Sequence, residues 1–216
     1  MIDDDIKQHI LDNKPYYKSN VLTDLYSFSK LEELINLRPF VNSARFLLTN
    51  NQKYEWEHQA WLTDVNSWPP GLLNMIMKNQ VCYITDCSRV NKKINDLCKE
   101  LEDLTDLPTD AHLYFDLNKN IGHQSHWDNS TNMIVQVEGE TQFKIWDKYY
   151  YEPSPRTIDN VNEKPIMDIT MKPGDVIIIP KNILHQANSI TKRLSISFPM
   201  AEGWNSPKQE RTWIKL

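Results

Sequence analysis

The sequence has few cysteines and lacks both a long apolar run and a surplus of basic residues, and each shortage excludes a class of protein. No run of about 18 apolar residues occurs, so a membrane-spanning helix is not expected. Lysine and arginine number 24 against 29 acidic residues, giving a net charge of −5. This balance argues against a general nucleic-acid-binding protein, which needs a basic surplus, although a local basic patch is compatible with it.

The cysteines and the start of the chain indicate the compartment. Cys82, Cys87 and Cys98 are odd in number and form no CxxC pair, which is typical of reduced thiols inside a cell. The start, Met1–Asp5, is acidic where a signal peptide would be basic. We therefore expect a cytoplasmic protein without membrane association.

The length of 216 residues predicts one domain, or one domain with an appended subdomain. We expect a mixed, mostly helical region over residues 1–110, a β-rich core over residues 111–200 and a tail over residues 201–216. The tail is too short for a large dimerising extension. The protein is therefore expected to be a monomer, or a homodimer formed through the core or the first region.

Two helices are predicted in the first region. The capping-box pattern Ser29–Glu32 predicts a helix that continues to Leu37. Apolar residues recur at intervals of three and four over Val90–Leu104, which predicts a second helix with Ser88 as its N-cap.

Short runs rich in isoleucine, valine and aromatic residues begin at about His112, separated by turns at Gly139, Pro173-Gly174 and Asn182. Many short strands at close spacing predict a small antiparallel barrel or sandwich. The predicted strands are Leu113–Leu117, Met133–Val137, Gln142–Trp146, Ile166–Met171, Asp175–Pro180 and Leu194–Phe198, with Arg45–Thr49 and Gln80–Thr85 as extensions of the sheet.

His126-Trp127-Asp128 is followed, 59 residues after the histidine, by His185. Residues two apart on a strand share a face, so His126 and Asp128 would both reach one ion, and His185 would arrive from a neighbouring strand. Two imidazoles and one carboxylate are the ligand set of one divalent iron with an open face. The alternative is that these histidines are ordinary hydrogen-bonded residues near strand ends.

The sequence around these ligands resembles the two cupin motifs of the Jumonji-type iron(II)- and 2-oxoglutarate-dependent oxygenases. The resemblance lies in Gln136–Gly139, after the first ligands, and in Met171–Pro180, which leads to His185. It implies a mainly β fold with helices (α+β), built on a double-stranded β-helix (cupin or jelly-roll) barrel. It also implies Fe(II), 2-oxoglutarate as co-substrate and dioxygen, with ascorbate as a supporting reductant.

The same resemblance implies a cation for the distal carboxylate of 2-oxoglutarate. Jumonji members usually place it two residues after the first glycine, where this chain has Thr141. Lys144 is near, but strand alternation would turn it to the other face. Arg193-Leu194-Ser195 is similar to the Arg-x-Ser of prolyl-hydroxylase-like members. This resemblance implies that Arg193 binds the carboxylate while Ser195 donates a hydroxyl hydrogen bond. The alternative is that Arg193 is a surface residue on an edge strand.

Other residues are candidates for the pocket. Asn132 resembles a co-substrate-side residue of asparaginyl-hydroxylase-type members, or is a turn residue. Tyr114 is expected either to hydrogen-bond the co-substrate or to fill the barrel, and His123 is not expected to be a ligand. The segment 147–165 is a candidate lining of the substrate site. An aromatic stretch either forms the floor of a substrate cleft or belongs to the core, namely Trp56, Trp61 and Trp68.

The expected activity is hydroxylation of a C–H bond in a polypeptide side chain or a small amino-acid-like substrate. One alternative is a metal-binding cupin with non-oxidative chemistry on a small molecule. The other is a non-catalytic cupin binding module. Formation of succinate from 2-oxoglutarate separates the first hypothesis from both.

Overall fold

The computed structural model describes residues 1–36, 46–49, 81–85, 87–119, 124–159, 161–201 and 213. Within these ranges the helices are α1 (Asp4–Leu11), α2 (Phe28–Asn36) and α3 (Lys92–Thr105). The strands are β1 (Tyr16–Lys18), β2 (Phe46–Thr49), β3 (Val81–Ile84), β4 (His112–Asp116), β5 (Thr131–Glu138), β6 (Thr141–Tyr149), β7 (Met167–Met171), β8 (Val176–Ile179), β9 (Ile183–Ser189) and β10 (Arg193–Met200). No described helix has the length and apolar character needed to cross a membrane.

The strands form two antiparallel sheets that face each other. The larger sheet has seven strands in the order β1-β8-β5-β10-β4-β3-β2, and the smaller has the order β7-β6-β9. Side chains from both sheets meet in one apolar cluster, with Phe143 and Ile145 from β6 packed against Ile177 and Ile179 from β8. The predicted mainly β, jelly-roll barrel fold with helices is confirmed.

A second apolar cluster covers the outer face of the large sheet. Met133 and Val135 of β5 point outward into this cluster, together with buried residues of α1, α2 and α3. Alternation along β5 therefore turns Asn132, Ile134 and Gln136 toward the barrel interior. All residues of β10 are buried. Leu194, Ile196 and Phe198 pack in the cluster that contains the helices, and Arg193 on the opposite face donates to Ser189 of the small sheet.

The helix α2 begins earlier than its capping-box pattern predicts. Its first residue is Phe28, so Ser29 lies inside the helix. The hydroxyl of Ser27 accepts a hydrogen bond from the N–H of Lys30 at 3.3 Å. Of the two serines near the start of α2, Ser27 rather than Ser29 therefore provides the N-terminal cap. Leu37 lies outside the described residues.

The N-cap of α3 is Asn91, not Ser88. The side chain of Asn91 accepts a hydrogen bond from the N–H of Ile94 at 2.8 Å. Ser88 is buried instead, and its N–H donates to Asp110 at 3.3 Å. Asparagine caps a helix about as well as serine does, and the tertiary contact with Asp110 decides between them.

The predicted strands are found, with ends that differ by a few residues, and β2 and β3 extend the large sheet beside β4 as expected. Gly139, Gly174 and Asn182 have positive φ angles of 69°, 91° and 69° at the predicted turns. A Cβ at Gly139 would lie 1.8 Å from the carbonyl oxygen of Lys192, so only glycine fits there. The division of the chain at residues 110 and 200 stays a prediction.

Candidate metal centre and co-substrate pocket

His126, Asp128 and His185 meet at one end of the barrel. Each offers a ligand atom, and these atoms lie within 4.8 Å of one another. The centroids of the two imidazole rings are 4.3 Å apart, and Nε2 of His185 is 3.6 Å from Oδ2 of Asp128. One ion placed between the three side chains can therefore be reached by all of them.

The expectation that His126 and Asp128 lie in a regular strand was wrong. His126 forms isolated bridges with His185 and Thr157, and Asp128 lies in the connection that leads to β5. The backbones of His126 and His185 exchange two hydrogen bonds, each 2.9 Å long. The N–H of Asn182 donates to the carbonyl of Asp128 at 2.7 Å. These backbone bonds, rather than strand alternation, bring the three side chains together.

Hydrogen bonds fix the tautomer of both histidines. Nδ1 of His126 lies 2.8 Å from the carbonyl oxygen of Gln124, and Nδ1 of His185 lies 3.0 Å from that of Ile183. A carbonyl oxygen only accepts, so each Nδ1 carries the hydrogen. The lone pair of each neutral ring is then on Nε2, the atom that faces the common centre.

Asn132 points into the barrel, as its strand position predicts, and contacts the carboxylate of this centre. Its amide nitrogen donates to Oδ2 of Asp128 at 3.2 Å, and its amide oxygen accepts from the hydroxyl of Ser197 at 3.3 Å. Asn132 therefore supports the orientation of Asp128. Its direct contact with a co-substrate stays a prediction.

Residues 155–158, within the predicted segment 147–165, close one side of the connection that carries His126 and Asp128, through contacts with Trp127 and Ser125. The indole of Trp127 is 1% exposed, donates to the carbonyl of Pro155 at 2.7 Å, and lies 4.1 Å from the guanidinium of Arg156. The N–H of Ile158 donates to the carbonyl of Ser125 at 2.8 Å. These residues thus border the metal centre. The role of Trp127 in fixing the connection between His126 and Asp128 was not predicted.

A set of hydrogen-bonded polar side chains is buried inside the barrel. We call it the buried polar group, and its members are Gln136, Thr141, Ser189, Arg193 and Ser195. Arg193 is 3% exposed and donates from Nε to Ser189 at 2.8 Å and from Nη1 to Ser195 at 3.3 Å. The hydroxyls of Ser195 and Thr141 both donate to Oε1 of Gln136, at 2.8 Å and 2.9 Å. Gln136, which the sequence interpretation did not select, therefore joins the predicted anchor residues Arg193 and Ser195 to Thr141, at the usual position of the family's cation.

Tyr114 and Lys144 differ in their position relative to this polar group. Tyr114 on β4 lies opposite Ser195 in the strand register, on the same face of the sheet. Phe143 and Ile145 point into the barrel core, so Lys144 between them faces outward. Gln142 faces outward as well, and its amide donates a hydrogen bond to Asp168 at the surface. Tyr114 lies beside the polar group and Lys144 does not.

The electrostatic environment keeps Arg193 charged and His185 neutral at pH 7. Burial lowers the pKa of the Arg193 guanidinium to about 10, while nearby Asp116 and Tyr114 favour the charged form. Burial, with the charge of the neighbouring His126, lowers the pKa of His185 to about 4, against the opposing effect of Asp128. A neutral His185 is the form that a metal ion requires.

The free energy of unfolding of the metal-free protein should decrease as the pH falls from 6.5 toward 4. In this window the imidazole of His185 is protonated in the unfolded chain but stays neutral in the folded protein, because folding lowers its pKa. Above pH 6.5 the imidazole is neutral in both states, and the full free energy of unfolding is present. Denaturant unfolding at a series of pH values measures the slope. His185→Asn should lose this part of the slope, and an equal slope in both proteins would contradict the prediction.

The remaining sequence candidates lie outside the described residues. These are His123 and the aromatic stretch, Trp56, Trp61 and Trp68. Gln136 could have been found from the sequence, because it is the one polar residue of the predicted strand Met133–Val137. It also shares the inward face with Asn132, four residues earlier.

The JmjC domain family model matches residues 85–206, more than half of the 216 residues, and the match includes every member of the candidate metal centre. The chain belongs to the JmjC domain family. The resemblance to Jumonji-type proteins is thereby confirmed, and strands β4 to β10 lie within the matched JmjC domain.

Curated relatives include the bifunctional lysine-specific demethylase and histidyl-hydroxylase NO66 of Culex quinquefasciatus, 23% identical over 224 residues, and that of Caenorhabditis elegans, 23% identical over 217 residues. The alignments cover 94% and 87% of this chain, but 31% and 27% of the relatives. The chain therefore spans less than a third of the length of these relatives.

Solved structures of similar fold include the Escherichia coli ribosomal oxygenase YcfD. The complex of YcfD with cobalt and 2-oxoglutarate has a TM-score of 0.61 and 15% identity, and covers 92% of this chain and 52% of that chain. Another YcfD structure has a TM-score of 0.63 and 14% identity, and covers 95% and 53%. At this identity the likeness shows a shared fold, and this JmjC chain spans about half of the solved protein.

Proposed function

We propose that this chain is an iron(II)- and 2-oxoglutarate-dependent oxygenase that hydroxylates the side chain of a polypeptide. The observation that carries the proposal is the convergence of His126, Asp128 and His185 at one end of a barrel whose interior also holds the buried cation Arg193. Membership of the JmjC domain family supports the same activity.

The donor set fits a divalent iron. Two Nε2 lone pairs and one carboxylate occupy one side of the centre and leave about three coordination positions for other ligands. His126 and His185 are oriented through their Nδ1 hydrogen bonds, and Asn132 holds the carboxylate of Asp128. When bound, the metal would supply the activation of dioxygen that oxidation of a C–H bond requires.

Arg193 is the residue that we assign to the distal carboxylate of 2-oxoglutarate. Its guanidinium is oriented by Ser189 and Ser195, and Nη2 has no hydrogen-bond partner in the part of the chain that the structure describes. The remaining N–H groups can therefore bind a carboxylate with the fork geometry that arginine provides. Thr141 and Tyr114 lie on the same interior surface and are assigned to the wall of this subsite.

The proposed substrate is a polypeptide because the relatives are named for such substrates. NO66 is named as a histidyl-hydroxylase and lysine-specific demethylase, and YcfD as a ribosomal oxygenase. We assign hydroxylation, with a ribosomal protein as the first candidate substrate. A cytoplasmic location agrees with such a substrate and is part of the proposal.

Purified protein supplied with iron(II), 2-oxoglutarate, oxygen and ascorbate should form succinate, and faster with a peptide substrate than without one. Mass spectrometry of ribosomal-protein peptides should detect the gain of one oxygen atom. Release of formaldehyde from a methyl-lysine peptide would indicate demethylation instead. Succinate formation no higher than in a metal-free control would contradict the proposal and favour a non-oxidative cupin or a binding module.

A further inference from the structure

Gln136 lies at the centre of the buried polar group, and the reaction proposed above assigns it no task. Its side chain is fully buried and uses both donors and both acceptor positions. Nε2 donates to the carbonyls of Glu138 and Gly139 at 2.8 Å and 3.2 Å. Oε1 accepts from the hydroxyls of Thr141 and Ser195 at 2.9 Å and 2.8 Å.

The two carbonyls determine which way the carboxamide of Gln136 points. Carbonyl oxygens only accept hydrogen bonds, so Nε2 must face Glu138 and Gly139, and Oε1 must face the two hydroxyls. Reversing the amide would place an oxygen against two carbonyl oxygens. The hydroxyls of Thr141 and Ser195 must therefore both act as donors to Gln136.

This direction of hydrogen bonding changes the role expected of Ser195. Its single hydroxyl hydrogen is used by Gln136, so its oxygen accepts from Nη1 of Arg193 at 3.3 Å. The guanidinium is then held at two points, by Ser195 and, through Nε, by Ser189 at 2.8 Å. Ser195 orients the arginine in this arrangement and is not available to donate to a carboxylate.

We propose that Gln136 is a positioning residue for 2-oxoglutarate, which acts through Ser195 to fix the guanidinium of Arg193 in its carboxylate-binding orientation. The inference rests on the proposed function, because it assigns the distal carboxylate to Arg193. All the hydrogen-bonding positions of the Gln136 side chain are used within the protein, so we assign it no direct contact with the metal or the co-substrate. Its effect should therefore be limited to ligands that carry a distal carboxylate.

Calorimetric titration of the cobalt(II)-loaded protein with 2-oxoglutarate and with pyruvate tests this proposal. Pyruvate has the chelating keto-acid end but lacks the distal carboxylate. Gln136→Met should weaken 2-oxoglutarate binding by about tenfold and leave pyruvate binding unchanged. Loss of a residue that orients a binding group typically costs about 10- to 100-fold, and we expect the lower value. The matched control is Gln142→Met, which removes a glutamine side chain from the outer face of β6 and should change neither ligand.

A second variant keeps the proposal testable if Gln136→Met does not fold. Ser195→Ala removes the same link and should show the same selective loss. Combined with Gln136→Met, where both fold, it should add little, because the two residues act through one path. The inference is overturned if either variant weakens both ligands equally or leaves 2-oxoglutarate binding unchanged. Wild-type protein that binds 2-oxoglutarate no better than pyruvate would overturn instead the assignment of Arg193 in the proposed function, and this inference with it.

Discussion

His126→Ala should abolish tight binding of divalent metal and, with it, the formation of succinate. The substitution removes one of two imidazole donors from a centre with only three protein ligands. We expect the affinity for cobalt(II) to fall by more than about 100-fold, because loss of a residue that merely supports a ligand already costs about 10- to 100-fold. The visible absorption of cobalt(II) during titration measures this loss directly.

His9→Ala is the matched control for this substitution. His9 lies on α1, where its ring stacks on Tyr16 with centroids 3.9 Å apart, and it has no part in the metal centre. Both variants should retain the circular dichroism spectrum of the wild type. A folded His126→Ala protein with wild-type cobalt(II) affinity would show that the three side chains are not the metal site.

The barrel could be predicted from the sequence because its signals are local. Runs such as Val176–Ile179 are apolar and β-branched, and Gly139 and Gly174 mark turns that need a positive φ. The strand β9 was not predicted as an element, although His185 was expected on a neighbouring strand. Its sequence, Ile183–Ser189, has little β-branched character, and it becomes a strand by pairing with β6.

The candidate site was only partly predictable because its contacts are not local. The histidines and Asp128 could be found from their spacing and from the resemblance around them. Gln136 and Ser195 are 59 residues apart in sequence, so their hydrogen bond depends on the register of β5 with β10. The same dependence on tertiary structure explains why Asn91 rather than Ser88 caps α3.

Arg193→Ala should raise the concentration of 2-oxoglutarate needed for turnover by about 100-fold, while cobalt(II) binding changes little. Truncating one partner of a buried, charged hydrogen-bonded pair typically costs about 2–5 kcal/mol, and about 1.4 kcal/mol corresponds to a factor of ten. Arg193→Lys should recover only part of the affinity, because an ammonium group cannot form the paired hydrogen bonds of a guanidinium. Lys144→Ala removes a cation from the outer face and should leave 2-oxoglutarate binding unchanged.

Adding Thr141→Lys to Arg193→Ala should restore part of the 2-oxoglutarate affinity. The hydroxyls of Thr141 and Ser195 both donate to Oε1 of Gln136, and Ser195 also accepts from Arg193. A side chain at position 141 therefore lies on the same interior surface as the guanidinium of Arg193. A lysine there would approach the same carboxylate from the neighbouring strand. Calorimetry of the cobalt(II)-loaded single and double variants measures the recovery. A double variant that folds and binds metal, but binds 2-oxoglutarate no better than Arg193→Ala, would show that the two positions do not serve one subsite.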